Sequence, residues 1–184
     1  LNTDAIAYMR VAEYWSVGNL GFAVNGYWGP LLSWLMVPFL WLGVEPLLAG
    51  KLAMLISGAV FFHGSLFLVR SVGLRLSDEL IVAWVLALTI PGWMSNHVTP
   101  DLLVAGLMAF ALGQAVSPDW LANRRRALGT GATWGLAYLA KAVALPVGVV
   151  VSVLLALCWR LGQAENRRAA WRQLGVSLGL LALV

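Results

Sequence analysis

The chain has 184 residues, of which 61% are hydrophobic and only 11% are charged. This composition excludes an ordinary water-soluble globular domain and indicates an integral membrane protein that lies in a lipid bilayer. The formal net charge is +4, and the basic residues stand in short loops between apolar runs, so no nucleic-acid partner is expected.

The N-terminal segment NTDAIAYMRVAEYW predicts a helix that lies on the outer membrane surface. Asn2 or Thr3 can cap this helix, and apolar residues recur at helical spacing from Ala5 to Trp15. The region Gly18–Gly29 is rich in glycine and asparagine and is predicted to be a loop.

The next apolar run, Pro30–Gly43, is the most ambiguous segment. It has 14 residues and contains Pro38, and this length suits an interfacial or re-entrant helix better than a membrane span. We therefore predict that Pro30–Gly43 does not cross the bilayer.

Five later runs are predicted to cross the membrane, and a sixth begins near the C-terminus. The runs are Pro46–Val69, Glu79–Ser95, Asp101–Ser117, Ala127–Lys141, Ala142–Arg160 and the unfinished Trp171–Val184. These runs predict an all-α, polytopic transmembrane bundle with juxtamembrane surface helices. We expect residues 1–184 to be one partial membrane domain of a longer protein, with an extracytoplasmic loop at 1–45 and the spans at 46–184.

The charge distribution agrees with this topology. If Pro30–Gly43 does not cross, nine of the twelve basic residues share one side, which the positive-inside rule makes cytoplasmic. Those nine are Arg70, Arg75, Arg124, Arg125, Arg126, Arg160, Arg167, Arg168 and Arg172. Asp4, Asp101 and Lys141 then face the opposite compartment together. If Pro30–Gly43 crossed, the arginines would still share a side, so its length and proline decide the topology.

Two carboxylates on the outer side are candidates for chemistry. Asp4 precedes Tyr8 by one helical turn and is either a general base or a surface acid favoured by the helix dipole. Asp101 follows Pro100 at the start of a predicted span, where it is either a functional acid or an anion accommodated by the helix dipole. His97 lies four residues earlier and can serve a metal or substrate site, or simply bind a loop carbonyl.

Lys141 is the most unusual residue, because it places one ammonium between two apolar runs. An uncompensated cation there is unfavourable, so it either reaches the surface or meets an anion such as phosphate. The alternative is an anchor that marks a helix end.

The ordered segments TDAIAYMRVAEYW, GYWGPLLSWLMVPFLWLG, VTPDLLVAGLMAFAL and GLAYLAKAVALP resemble the GT-C glycosyltransferases that use polyprenyl-phosphate sugars. The most similar types are protein O-mannosyltransferase-like enzymes and the transferase that adds aminoarabinose to lipid A. The resemblance implies a multi-pass protein of the inner (plasma) membrane whose active site faces the extracytoplasmic side. It also implies sugar transfer, with inversion, from a polyprenyl-phosphate donor to a glycan, lipid or protein acceptor.

The resemblance further implies a role for each site residue. Asp4 would be the catalytic acid of the first outer loop, Asp101 a second acid beside it, and Lys141 the ligand of the donor phosphate. Tyr8 and His97 are candidates for the acceptor pocket. Many relatives have Asp-Glu where this chain has Asp4-Ala5, and a lysine where it has Gly29, so donor sugar, acceptor and metal use stay open. No cofactor is assigned with certainty, and a divalent metal is compatible with the resemblance.

Two other classes of function are consistent with the sequence. A transporter or lipid flippase would place its charges near the bilayer midplane and form a path between the two faces. In a non-catalytic assembly subunit, Asp4, Asp101 and Lys141 would be helix-end residues far apart in space. The enzyme hypothesis requires these three side chains to converge on one outward cavity.

Overall fold

A computed structural model describes residues 3–24, 26–117, 119–162 and 167–183. Within these ranges all regular structure is helical, which confirms the predicted all-α class. The helices are α1 (Thr3–Ser16), α2 (Leu20–Ala23), α3 (Pro30–Trp41), α4 (Pro46–Ser71), α5 (Leu76–Asn96), α6 (Asp101–Val116), α7 (Asp119–Ala122), α8 (Arg124–Ala140), α9 (Ala144–Gly162) and α10 (Arg167–Leu181).

Several helix ends differ from the predicted runs. Helix α5 begins at Leu76 because the Asp78 carboxylate accepts the backbone N–H of Arg75 at 3.2 Å and caps the first turn. It also continues past the internal Pro91 to Asn96. Helix α8 ends at Ala140, so Lys141 stands just outside the helix in extended backbone. Asn2 and Val184 lie outside the described residues.

Two helices are long and apolar enough to cross a membrane, judged by length and composition alone. They are α4, with 26 residues, and α5, with 21. At about 1.5 Å per residue, they are about 39 and about 32 Å long. Helix α3, with 12 residues, is only about 18 Å long and is shorter than a bilayer core.

The bundle has two chemically distinct ends. At the lysine end, Lys51 Nζ donates to the carbonyls of Met94 and Ser95, at 3.3 and 2.6 Å, and Lys141 meets Asp101. This end therefore gathers the N-termini of α4 and α6 and the C-termini of α5 and α8. At the arginine end, Arg70 Nε donates to the Glu79 carboxylate at 2.7 Å.

Small residues bring the long helices into close contact. A Cβ at Gly106 would lie 2.6 Å from the backbone of Phe61, so α6 and α4 approach backbone to backbone there. Between α8 and α10, Ser177 Oγ donates to the Ala127 carbonyl at 2.9 Å. Between α6 and α8 themselves, Gln114 Nε2 donates to Thr133 Oγ1 at 3.2 Å, and the packing of these two helices positions Asp101 and Lys141.

Helices α1 and α3 pack side by side at the lysine end. Ser33 Oγ donates to the Tyr8 carbonyl, and Trp41 Nε1 donates to the Ser16 carbonyl, both at 2.9 Å. Because both bonds join residues 25 apart, the two helices run parallel. One apolar cluster fastens this pair to the bundle, and it contains Ala5, Tyr8, Ala12, Leu32, Met36, Ala49, Ala53, Met54, Ile90, Val98 and Leu102.

Candidate functional site

Asp101 and Lys141 form an ion pair at the lysine end. Asp101 is in the first turn of α6, where the helix dipole favours an anion, and Lys141 follows the last turn of α8, where the dipole favours a cation. Lys141 Nζ lies 2.7 Å from Asp101 Oδ1. The side chains are 47% and 41% exposed, so water reaches both charges and the pair is open to a third group.

Tyr8 lies one turn after Asp4 on α1, and the charge of Asp101 also acts on its phenol. Its side chain is buried within the apolar cluster, and its ring packs edge-on against Trp28 at 5.2 Å between centroids. Burial raises the pKa of the Tyr8 phenol, and the nearby charges of Asp4 and Asp101 raise that pKa further. The charges of both carboxylates thus act on one phenol, which stays neutral at physiological pH.

Asp4 is partly exposed in the first turn of α1, one turn before Tyr8. It makes no ion pair with any described residue, in contrast to Asp101. A carboxylate without a cationic partner remains available to accept a proton.

His97 borders the cluster at the end of α5. Its ring stacks on Trp93 at 4.6 Å, and its Nδ1 lies 3.3 Å from the Trp93 carbonyl oxygen. The partner of His97 is thus a helix carbonyl one turn earlier on α5, not the loop carbonyl that the sequence suggested, and His97 lies at the edge of the site. In the described ranges, no three His, Cys, Asp or Glu side chains are grouped to hold a metal ion.

A cavity of about 230 Å³ opens beside Lys141. Its walls are the loop before α3 and the end of α8, and they comprise Gly26, Tyr27, Trp28, Gly29, Pro30, Tyr138, Leu139 and Ala142. Gly29 is required at this contact, because a Cβ there would lie 2.5 Å from the carbonyl oxygens of Leu139 and Ala140. The aromatic residues of this cavity were not among the site residues predicted from the sequence. The sequence feature that could have identified them is the pair Tyr27-Trp28 between two glycines.

An aromatic groove runs along α1 and α3 on the same end of the molecule. Trp15 and Trp34 meet edge to face at 5.5 Å, and both line two adjoining cavities of about 250 and about 230 Å³. One cavity extends to Trp41 and the other to Trp28. The groove leads from the outer edge of α3 toward the Tyr8 region.

No family model, curated protein or solved structure gave a significant match to this chain. The function proposed below therefore depends on the site geometry and the sequence resemblance.

Proposed function

We propose that this chain is part of the membrane domain of a glycosyltransferase that uses a polyprenyl-phosphate sugar donor. The observation that carries the proposal is the Lys141–Asp101 ion pair beside a cavity at one end of a helical bundle, with Asp4 and Asp101 both acting on the phenol of Tyr8. This grouping offers a cation for a leaving phosphate and a base for an incoming acceptor.

We also propose that the bundle crosses the membrane several times, with α1 and α3 at its outer surface. Helix α5 supports this placement, since Ile81, Trp84 and Leu88 are 62%, 68% and 76% exposed. A helix that is apolar on its exposed face needs lipid or another apolar partner. The two ends support the orientation, with the arginine end cytoplasmic and the lysine end outside.

Lys141 would bind the donor phosphate. A lysine ammonium has three N–H donors, and its bond to Asp101 uses one of them. The remaining donors can contact phosphate oxygens as the bond between the anomeric carbon and the phosphate oxygen breaks. The ammonium would offset the negative charge that grows on the leaving polyprenyl phosphate. Asp101 would keep Lys141 directed at this position.

Asp4 would act as the general base. The acceptor oxygen or nitrogen would attack the anomeric carbon opposite the leaving phosphate and form the new glycosidic bond. The proton released from the acceptor would pass to the Asp4 carboxylate. Tyr8, which stays protonated beside both acids, would donate a hydrogen bond and orient the reacting groups.

The cavity and the aromatic groove would receive the two substrates. Tyr27, Trp28 and Tyr138 line the cavity beside Lys141, where the donor sugar would lie. Trp residues favour the lipid–water interface because an indole ring has an apolar face and a polar N–H. The Trp15–Trp34 groove therefore suits a substrate at the membrane surface.

The experiment measures transfer of labelled sugar from polyprenyl-phosphate donors by the full-length protein in lipid. We expect Asp4→Asn to lower the rate roughly 100- to 10,000-fold, the usual range for a general base. Glu13→Gln is the matched control, because Glu13 is on the same helix and pairs only with Arg10 among the described residues. The control should transfer sugar at the wild-type rate.

Unchanged transfer in Asp4→Asn would refute the assigned base. If the wild-type protein transfers no sugar from any donor tested but moves a labelled lipid between leaflets, the function is transport. If it does neither, and a partner enzyme loses activity without it, the chain is an assembly subunit.

A further inference from the structure

The arginine end contains a cavity of about 390 Å³ between the start of α8 and α10. It is lined by Arg124, Arg172, Gln173 and Val176. The volume lies within the range of small-molecule binding pockets and exceeds that of the cavity beside Lys141. This cavity has no role in the proposed transfer reaction.

Gln173 provides a buried acceptor at this cavity. Its side chain is completely buried, and its Nε2 donates to the Leu121 carbonyl at 3.0 Å. Its Oε1 is buried without a hydrogen-bond donor in the described part of the chain. Reversing the amide would set Oε1 against the Leu121 oxygen, so the orientation is determined by that bond. An unpaired buried acceptor is unfavourable, so a molecule bound in the cavity that donates a hydrogen bond to Oε1 would be favoured.

The arginines of α8 and α10 near this cavity differ in their partners. Arg126 binds Asp119 at 3.2 Å and Ser117 at 2.6 Å, so its charge is already used within the protein. Arg124 and Arg172 make no ion pair with any described residue. Guanidinium groups bind phosphate through pairs of N–H donors, so these two arginines suit a phosphate at the cavity mouth.

We propose that this cavity binds the headgroup of an anionic lipid that carries a phosphodiester and a free hydroxyl. Arg124 and Arg172 hold the phosphodiester, and the hydroxyl donates to Gln173 Oε1. Basic pockets between helices on the cytoplasmic side are where anionic headgroups bind. This inference relies on the membrane orientation proposed above, but it does not require sugar transfer.

The experiment is native mass spectrometry of the full-length protein released from detergent micelles that contain phosphatidylglycerol or phosphatidylcholine. We expect the wild type to retain phosphatidylglycerol in preference to phosphatidylcholine. The double variant Arg124→Gln/Arg172→Gln should bind phosphatidylglycerol about 30-fold more weakly, or about 5-fold for each arginine. The matched control is Arg75→Gln/Arg125→Gln, which removes two exposed charges from the same end but none from the cavity.

Equal loss of lipid in both double variants would overturn the assigned site, because it would reflect net charge alone.

Gln173→Met tests the acceptor. It should weaken the binding of phosphatidylglycerol but not that of phosphatidic acid, which lacks the hydroxyl. Equally weakened binding of both lipids, or unchanged binding of phosphatidylglycerol, would overturn the hydroxyl contact.

A further experiment adds soluble glycerol phosphate as a competitor. If this compound displaces the lipid at equal concentration, the cavity is a site for free phosphate compounds, and the lipid proposal is wrong. Since no arm measures transfer, this result and the transferase result are independent.

Discussion

The replacement Lys141→Met separates a catalytic role for the ammonium from a structural one. The ion pair with Asp101 is short, at 2.7 Å, but its side chains are 47% and 41% exposed. Exposed pairs of this kind stabilise a protein by about 0.2–1 kcal/mol, because water screens the charges. In a protein of this size, that loss lowers the thermal midpoint by roughly 2–4 °C at most.

The expected effect on transfer is much larger. Removing one positive group that stabilises a developing negative charge costs roughly 100- to 1,000-fold in rate. The assay therefore compares two measurements on the same full-length protein, the thermal midpoint in lipid and the rate of sugar transfer. We expect a small shift in the midpoint and a large fall in rate.

A charge exchange provides the control. In Asp101→Lys/Lys141→Asp, the two charges again face each other, but each stands at the helix end that the dipole disfavours, so the thermal midpoint should return only part of the way to that of the wild type. Transfer should stay low, because the ammonium is now on α6 and no longer directed at the cavity beside α8. Recovery of transfer by the exchanged pair would refute phosphate binding by Lys141. A large fall in the midpoint of Lys141→Met would also contradict the argument from screening.

Three further predictions concern stability. Gly29→Ala should destabilise the protein by about 1–3 kcal/mol, because its Cβ would clash with the Leu139 and Ala140 carbonyls. In the same thermal scan, the control Gly26→Ala should leave the midpoint unchanged, because a Cβ at Gly26 meets nothing within 4 Å. Within helices, Gly106→Ala should lower the thermal midpoint, because its Cβ would clash with the Phe61 backbone. Gly92→Ala should leave the midpoint unchanged, because a Cβ at Gly92 meets open space. Equal shifts in both variants would contradict the close α4–α6 contact. The pKa of Tyr8 is raised in the folded protein, so above about pH 10 the unfolded chain releases the phenolic proton while the folded protein keeps it. The contribution of Tyr8 to the free energy of unfolding is therefore fully present below that pH and is lost as the pH rises. Tyr8→Phe should reduce this fall of the thermal midpoint at alkaline pH, and the control Tyr14→Phe should show the same fall as the wild type. An identical fall in the wild type and both variants would show that Tyr8 is accessible to solvent.

The sequence by itself determined the helical class and the approximate positions of the helices. Long apolar runs with few charges can satisfy their backbone only by forming helices in an apolar environment, and this rule needs no tertiary information. The glycines at 18, 43 and 73 lie in connections between helices with positive φ, as local turn chemistry predicts. The candidate acids and the lysine were also identified from the sequence, because a charge beside an apolar run is conspicuous.

The tertiary structure decided which of these residues meet. Asp101 and Lys141 are 40 residues apart, and only the packing of α6 against α8 brings their charged atoms together. The burial of Tyr8 depends on α3 and α4, and the effect of Asp101 on its pKa depends on the position of α6. Helix ends also depended on packing. An interior proline removes one N–H donor and crowds the preceding turn, yet α5 continues past Pro91, and Met94 beyond it packs against Gly58 of α4. Such contacts join distant parts of the chain, so no local pattern of residues specifies them.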